Sequence, residues 1–229
     1  MLPSADNPVA TDGSSHFVAN HRRMHIWFPG VVAVWSFGIA AGFAHLLDYA
    51  TTPGSPRPTV ANWPNGLEVS FDRSKANLVL LAHPQCPCTN ATIDEFERLI
   101  ARTQGLVAAT VAFYRPANAP EQWVKTDLWR RVAAMPNVKI QFDVDGRIAK
   151  NFGANTSGHL LLYHRDGRRL FSGGITNARG HAGSSFGADA LRSLLETGRS
   201  DLTETPVYGC PIETPLSPNL QSEKPCCNK

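Results

Sequence analysis

From Ile26 to Leu47 the sequence IWFPGVVAVWSFGIAAGFAHLL carries no Asp, Glu, Lys or Arg, and 16 of its 22 residues are apolar. A helix rises about 1.5 Å per residue, so this run spans roughly 33 Å, close to the thickness of a hydrocarbon core. It commits one end of the chain to a bilayer, and we read a single transmembrane helix over residues 24–48. Pro29 falls in its first turn, where a missing N–H costs little, and Trp27 and Tyr49 sit where interfacial aromatics are favoured. The alternatives are a buried core helix and a cleavable signal peptide, whose apolar run would be shorter and nearer Met1. Residues 1–23 are polar, lack a hydrophobic period and read as a flexible cytoplasmic tail. His21-Arg22-Arg23 precede the span, whereas Asp48 and a lone Arg57 follow it. The positive-inside rule then places the rest of the chain in the periplasm, on the outer side of the inner membrane. Gly38 and Gly42 make a G-x-x-x-G face that permits a helix-mediated dimer.

Residues 49–66 hold four prolines in TTPGSPRPTVANWPNG and read as a semi-rigid linker. A folded domain is expected over 67–198. Leu67, Val69 and Phe71 alternate as in a half-buried strand, and NLVLLA (Asn77 to Ala82) has the unbroken apolar character of a central strand. A helix follows, started by Thr89, Asn90 or a Thr92/Glu95 capping box, and it ends near Gly105. A strand at Val107 to Tyr114, an amphipathic helix at Pro120 to Ala134 and a strand at Val138 to Phe142 come next. Asp143 and Asp145 belong to a turn into a short helix ending at Phe152-Gly153. Strands at His159 to Tyr163 and Arg169 to Phe171 flank the hairpin signal Asp166-Gly167, and a last helix stops at Gly198. Strands alternating with helices and one terminal hairpin predict an α/β fold with a mixed sheet. Residues 199–229 contain five prolines and are expected to form an extended, mobile tail.

The net charge, 22 basic against 19 acidic side chains, is +3 and is spread without runs, so nothing points to a nucleic-acid partner. The five cysteines, at 86, 88, 210, 226 and 227, are too few to staple a chain of 229 residues and too clustered for core filler. Cys86 and Cys88 lie where a strand ends and a helix begins, so orphan N–H groups and the helix dipole favour a thiolate there. Cys86 is expected to attack and Cys88 to resolve. A disulfide between residues two apart closes a strained ring, which suits an oxidant or a labile switch. A second reading is metal binding: His83, Cys86 and Cys88 supply one imidazole and two soft thiolates, suited to copper or zinc. Cys210 or His181 can complete such a set, and Cys210 can also fold back as a resolving thiol. Cys226-Cys227 is a vicinal pair that either binds a soft metal or closes another strained ring.

A central strand running into a cysteine pair, then a hairpin and a last helix, resembles the thioredoxin fold, and the likeness covers residues 67 to 198. FGANTSGHLLLYHRDGR (Phe152 to Arg168) is similar to the thioredoxin stretch of aromatic, Gly, cis-Pro, Thr and apolar strand. The set His83-Pro84-x-Cys86-Pro87-Cys88, Thr156-Ser157-Gly158 within that stretch, Gly173-Gly174-Ile175-Thr176 and Arg179-Gly180-His181 narrows the likeness. Together they resemble the bacterial membrane-anchored thioredoxin-like proteins labelled RedB-type. The resemblance implies a thioredoxin-like fold, a central mixed sheet flanked by helices behind one transmembrane helix. It supplies fold and compartment more than reaction, and thiol–disulfide oxidoreductase chemistry without a cofactor is what the cysteine pair itself suggests. Partners would be protein thiols or disulfides, or a respiratory-chain assembly protein in the periplasm. This chain departs from the family pattern in that Gln85 takes the usual nucleophile slot, Gly158 the cis-Pro slot and His159 the Thr slot. The same fold serves copper-delivery proteins with paired Cys and a distant His, which makes His159, expected to face the cysteines, a candidate fourth ligand. His181, in the Gly-rich loop, can line the site or be an exposed loop histidine.

Overall fold

A computed structural model describes residues 15–55, 57–103 and 105–213, with side chains described from residue 27 onward. It divides into two units, residues 1–48 and 49–229. The apolar run lies in helix α1, Ser15–Thr51. Within it, Trp27–Thr51 is long and apolar enough to cross a membrane, and none of that stretch is buried, which sets it apart from a core helix. The helix starts well before residue 24, so the flexible tail expected to reach residue 23 is helical from Ser15 on. Pro29 therefore sits inside the helix rather than in its first turn, and its missing N–H deletes one bond of the ladder.

The second unit contains β1 (Ala76–Ala82), α2 (Thr89–Arg102), β2 (Val107–Arg115), α3 (Asp127–Ala133), β3 (Val138–Val144), α4 (Arg147–Phe152), β4 (His159–Tyr163), β5 (Arg169–Gly173) and α5 (Phe186–Thr197). The sheet order is β3-β2-β1-β4-β5. β1 runs parallel to β2, and β2 parallel to β3, whereas β4 is antiparallel to β1 and β5 to β4. β1 is central and buried on both faces, which is why its sequence shows no polar alternation. Its period of two sends Leu78 and Leu80 to a core with Phe96 of α2, Leu128 of α3 and Leu191 of α5. Val79 and Leu81 point to the other face, with Ile148 and Phe152 of α4, Tyr163 and Ile212. α4 is anchored at its start by buried Asp143, whose carboxylate accepts from the N–H groups of Ile148 at 2.7 Å and Ala149 at 3.0 Å.

Three further expectations need correction. Leu67 to Phe71 is irregular rather than a strand. Its apolar side chains are satisfied by packing, with Val69 in the second core and Leu67 against it, so no ladder forms. The proline-rich linker is not a free spacer. Trp63 lies within 5.0–5.3 Å, ring to ring, of Phe71, Phe152 and Tyr163, and its N–H donates to the Gly167 carbonyl at 2.8 Å. The C-terminal segment 199–213 is likewise docked rather than mobile. Its backbone bonds to β5 through Ser172 and to the loop 155–157, and Ile212 is only 1% exposed. Pro206 and Pro211 remove donors, so this strap pairs as isolated bridges instead of a regular edge strand. The remaining cysteines, Cys226 and Cys227, lie outside the described residues.

Candidate functional site: three thiols at the end of the central strand

β1 stops at Ala82 and the chain turns through His83-Pro84-Gln85 into α2. Three backbone bonds hold the turn: Cys86 N–H to the His83 carbonyl, Thr89 N–H to that of Cys86 and Asn90 N–H to that of Pro87. Cys88 occupies the N-cap position but supplies no side-chain cap. The first N–H groups of the helix thus stay near the cysteines, where they favour negative charge. The loop 155–158 is stitched to the same place. Gly158 N–H donates to the Leu81 carbonyl at 2.8 Å, His83 N–H donates to Ser157 Oγ at 2.8 Å, and Ser157 Oγ lies 2.7 Å from Thr89 Oγ1. Gly158 has φ +93°, far from the value a proline ring permits, which accounts for glycine in that slot.

The same loop receives the strap. Ser157 N–H donates to the Cys210 carbonyl and Ile212 N–H to the Asn155 carbonyl, both at 2.8 Å. Arg179 Nη1 donates to the Gly209 carbonyl. Gly209 lies so close to the loop that a Cβ there would come within 2.0 Å of the Ser157 oxygen. Cys210 is in this way delivered beside the pair at the helix start. The Sγ atoms of Cys86, Cys88 and Cys210 all lie within 4.8 Å of one another. Cys86 is 3% exposed, whereas Cys88 and Cys210 are half-buried.

Their protons are unequally held. Hydrogen bonding from the Cys210 thiol, and then from the Thr89 hydroxyl and both backbone N–H groups, keeps Cys86 well below the usual thiol range in spite of its burial. The Cys210 thiol is pushed up because it shares its proton with Cys86 and is itself partly buried. Burial and the neighbouring Cys86 charge raise Cys88. Cys86 is thus the most easily ionised of the three, and its two neighbours hold their protons more tightly. With Thr89 donating to Cys86, the Ser157 hydroxyl donates to Thr89, so a chain of hydroxyls backs the thiolate.

The histidines lie elsewhere. His83 is buried, its ring stacked on Tyr114 at 5.6 Å and edge-on to Trp123 at 5.6 Å, and its Nδ1 accepts from Gln85 N–H at 3.2 Å. His159 does not face the cysteines as expected. It is buried at the start of β4, with Nε2 2.8 Å from Ser172 Oγ, and lines a separate cavity of about 700 Å³ with Arg57, Arg169 and Glu204. Neither belongs to the group of mutually close ligand atoms among the described residues, so the soft-ligand set is Cys86, Cys88 and Cys210 rather than His83, Cys86, Cys88 and His159. His181 is in an exposed loop. Burial, helped by the Arg169 charge, holds His159 down at about 4. The unfolded chain binds that proton near the ordinary imidazole value of 6.5. Between these values the unfolded state therefore carries more protons, and stability should fall as the pH drops, by about 1.4 kcal/mol per unit. Above pH 6.5 this contribution is constant. Urea unfolding of the full chain in detergent at several pH values checks it: His159→Gln should flatten the slope, and an unchanged slope would assign it to other groups.

Thr89, Ser157 and Arg179 support the site without having been assigned a part in it from sequence. Arg179 was visible in the Arg179-Gly180-His181 run, but its acceptor lies 30 residues further along the chain, beyond the reach of local pattern.

A parallel βαβ start, a cysteine pair at the N-terminus of the first crossover helix, an antiparallel hairpin and a closing helix together decide the architecture. The chain has a thioredoxin-like fold. Among solved structures it is similar to a hypothetical protein from Sinorhizobium meliloti 1021, at 18% identity and TM-score 0.51, over 71% of this chain and 100% of that one. An uncharacterized conserved protein from Geobacillus kaustophilus aligns at 21% identity and TM-score 0.50, over 73% of this chain and 94% of that one. A secreted Mycobacterium tuberculosis disulfide oxidoreductase aligns at 16% identity and TM-score 0.39, over 55% of this chain and 82% of its own. No family model and no curated protein matches the chain. The thioredoxin-like chain places its cysteines one and three residues after Gln85.

Proposed function

We propose that this protein is a membrane-tethered thiol–disulfide oxidoreductase whose attacking group is the Cys86 thiolate, with the domain on the periplasmic side. The observation that carries the reading is the placement of the Cys86 sulfur: just ahead of α2, within 4.8 Å of the Cys88 and Cys210 sulfurs, and inside a thioredoxin-like fold. A thiolate, not a thiol, attacks disulfide sulfur, and a stabilised one is also a good leaving group, so the site can exchange in both directions. A second thiol of the site completes the exchange, and partners are protein dithiols or disulfides. The test uses the full chain in detergent, with dithiothreitol as electron donor and a disulfide-bonded peptide as acceptor. Catalysed reduction that disappears in Cys86→Ser supports the reading, and a rate equal to the uncatalysed one overturns it.

A soft-metal reading is favoured by one observation, three sulfur ligands within 4.8 Å of one another. Copper(I) or zinc(II) suits such a donor set. Elemental analysis of the protein purified under reducing conditions separates the readings, because a redox dithiol holds no stoichiometric metal. One copper per chain, lost in Cys86→Ser, would promote metal delivery over exchange.

The periplasmic side rests on the His21-Arg22-Arg23 bias before the apolar span. Alkaline phosphatase fused after residue 66 should be active and a cytoplasmic reporter at the same place silent. The reverse pattern would invert the orientation.

A further inference from the structure

We propose that Cys210, carried by the C-terminal strap, is the resolving thiol of this site, so that the oxidised protein holds a Cys86–Cys210 disulfide and not a Cys86–Cys88 one. The proposal rests on the oxidoreductase reading and names the second sulfur of that chemistry.

Cys86 and Cys88 are two residues apart in a turn locked by three backbone bonds, and the Cys88 backbone is already helical. Their sulfurs also lie within 4.8 Å of each other, but a bond between residues two apart closes a small, strained ring. Bonding them would unwind the turn and give up the N–H groups that stabilise Cys86. Cys210 arrives from a different segment and needs no such rearrangement. Its carbonyl is held by Ser157 N–H, the Asn155 carbonyl holds Ile212 N–H, and Ile212 is sealed in the core, so the strap presents the Cys210 sulfur within 4.8 Å of Cys86. The absence of a side chain at Gly209 allows this approach, since a Cβ would lie 2.0 Å from the Ser157 oxygen. The two sulfurs are near neighbours, and the Cys210 thiol is the largest influence lowering Cys86 while Cys210 is itself pushed up, so Cys86 is the more easily ionised of the two. A bond between Cys86 and Cys210 also closes a long loop, which constrains the unfolded chain, whereas a ring of neighbouring residues does so far less.

Cys86 thiolate attacks one sulfur of a partner disulfide R–S–S–R′, the partner S–S bond breaks, Cys86–S–S–R forms and R′–S⁻ leaves. Cys210 gives its proton to R′–S⁻ and, as thiolate, attacks the Cys86 sulfur; the Cys86–R bond breaks, the Cys86–Cys210 bond forms and R–S⁻ leaves. Two electrons pass from the two protein sulfurs to the partner disulfide, and a partner dithiol of the same class restores the protein by the reverse sequence. Cys88, protonated and half-exposed, stays outside the cycle.

The test uses the full chain in detergent with Cys226→Ser and Cys227→Ser, which removes the other thiols of the same tryptic peptide. The reduced protein is mixed with glutathione disulfide, quenched with N-ethylmaleimide at successive times, digested and mapped by mass spectrometry. The expected result is a transient glutathione adduct on Cys86 that gives way to a cross-link between the Cys86 and Cys210 peptides. Cys210→Ser should prolong the adduct at least about tenfold, because the internal thiol acts at high effective concentration. Cys88→Ser should leave the course unchanged. Gly209→Val should behave like Cys210→Ser with every site thiol present, because it lifts the strap from the loop. A Cys86–Cys88 disulfide with Cys210 alkylated, an adduct that accumulates in Cys88→Ser, or normal resolution in Gly209→Val would overturn the proposal while leaving the oxidoreductase reading intact. No glutathione on Cys86 in any variant would instead sink the oxidoreductase reading itself.

Discussion

Cys86→Ser is expected to lower the rate of disulfide exchange by about three orders of magnitude or more, since a serine hydroxyl replaces a stabilised thiolate. The fold should survive the change, because the two side chains are close in size and the turn is held by backbone bonds. Thr89→Ala is the graded control. It deletes the hydroxyl influence on Cys86 while the Thr89 backbone N–H stays, and one bond to a charged sulfur contributes about 1.5 kcal/mol, so the acid limb of the exchange-rate profile should move up by about one pH unit while the rate near neutral pH is kept. Single-turnover reaction with a peptide disulfide, followed by mass spectrometry, measures both. If Cys86→Ser kept more than about a tenth of the exchange rate, the attacking sulfur would have to be Cys88 or Cys210.

A second large effect concerns the strap. Ile212, 1% exposed, packs in the second core with Ile148, Phe152 and Tyr163. Truncating a buried Ile to Ala costs about 2–5 kcal/mol. The strap is held by a few backbone bonds and this one buried side chain, so much of the loss should appear as local opening rather than global unfolding. A cost of about 2 kcal/mol multiplies the opened population by about thirty. Cys86 is 3% exposed beneath the docked strap, and its alkylation should accelerate by a similar factor in Ile212→Ala. The comparison belongs at pH of about 9, where an ordinary thiol is largely ionised, because opening also removes the Cys210 bond that keeps Cys86 charged. Equal alkylation rates in the two proteins would show that the strap does not cover Cys86.

These effects depend on parts of the chain that differ in how openly they announce themselves. β1 was legible because burial on both faces leaves an unbroken apolar run, and α5 because Gly198 adopts the left-handed conformation at its end. The thiol pair was legible because a strand running into a helix start is a local pattern. The strap was not: its prolines and charges resemble a mobile tail, and what docks it is one isoleucine and backbone bonds to residues far away in sequence. Trp63 hid in the same way within a proline-rich stretch that resembles a spacer. Leu67 to Phe71 shows the opposite failure, since alternating apolar residues pack on a core face without a partner strand to pair with. His159 illustrates a third limit. Its position at the start of β4 was read correctly, but strand register turns its ring toward Ser172 on β5 and away from the thiols.

Thiolate absorbance in the ultraviolet, followed against pH as the difference between the reduced full chain and Cys86→Ser, tests the central claim most directly. The Cys86 environment predicts one thiolate per chain that is present at neutral pH and persists well into the acid range, and Thr89→Ala should shift its titration upward. A difference that appears only near the ordinary thiol value of about 8.5, unmoved by Thr89→Ala, would contradict it.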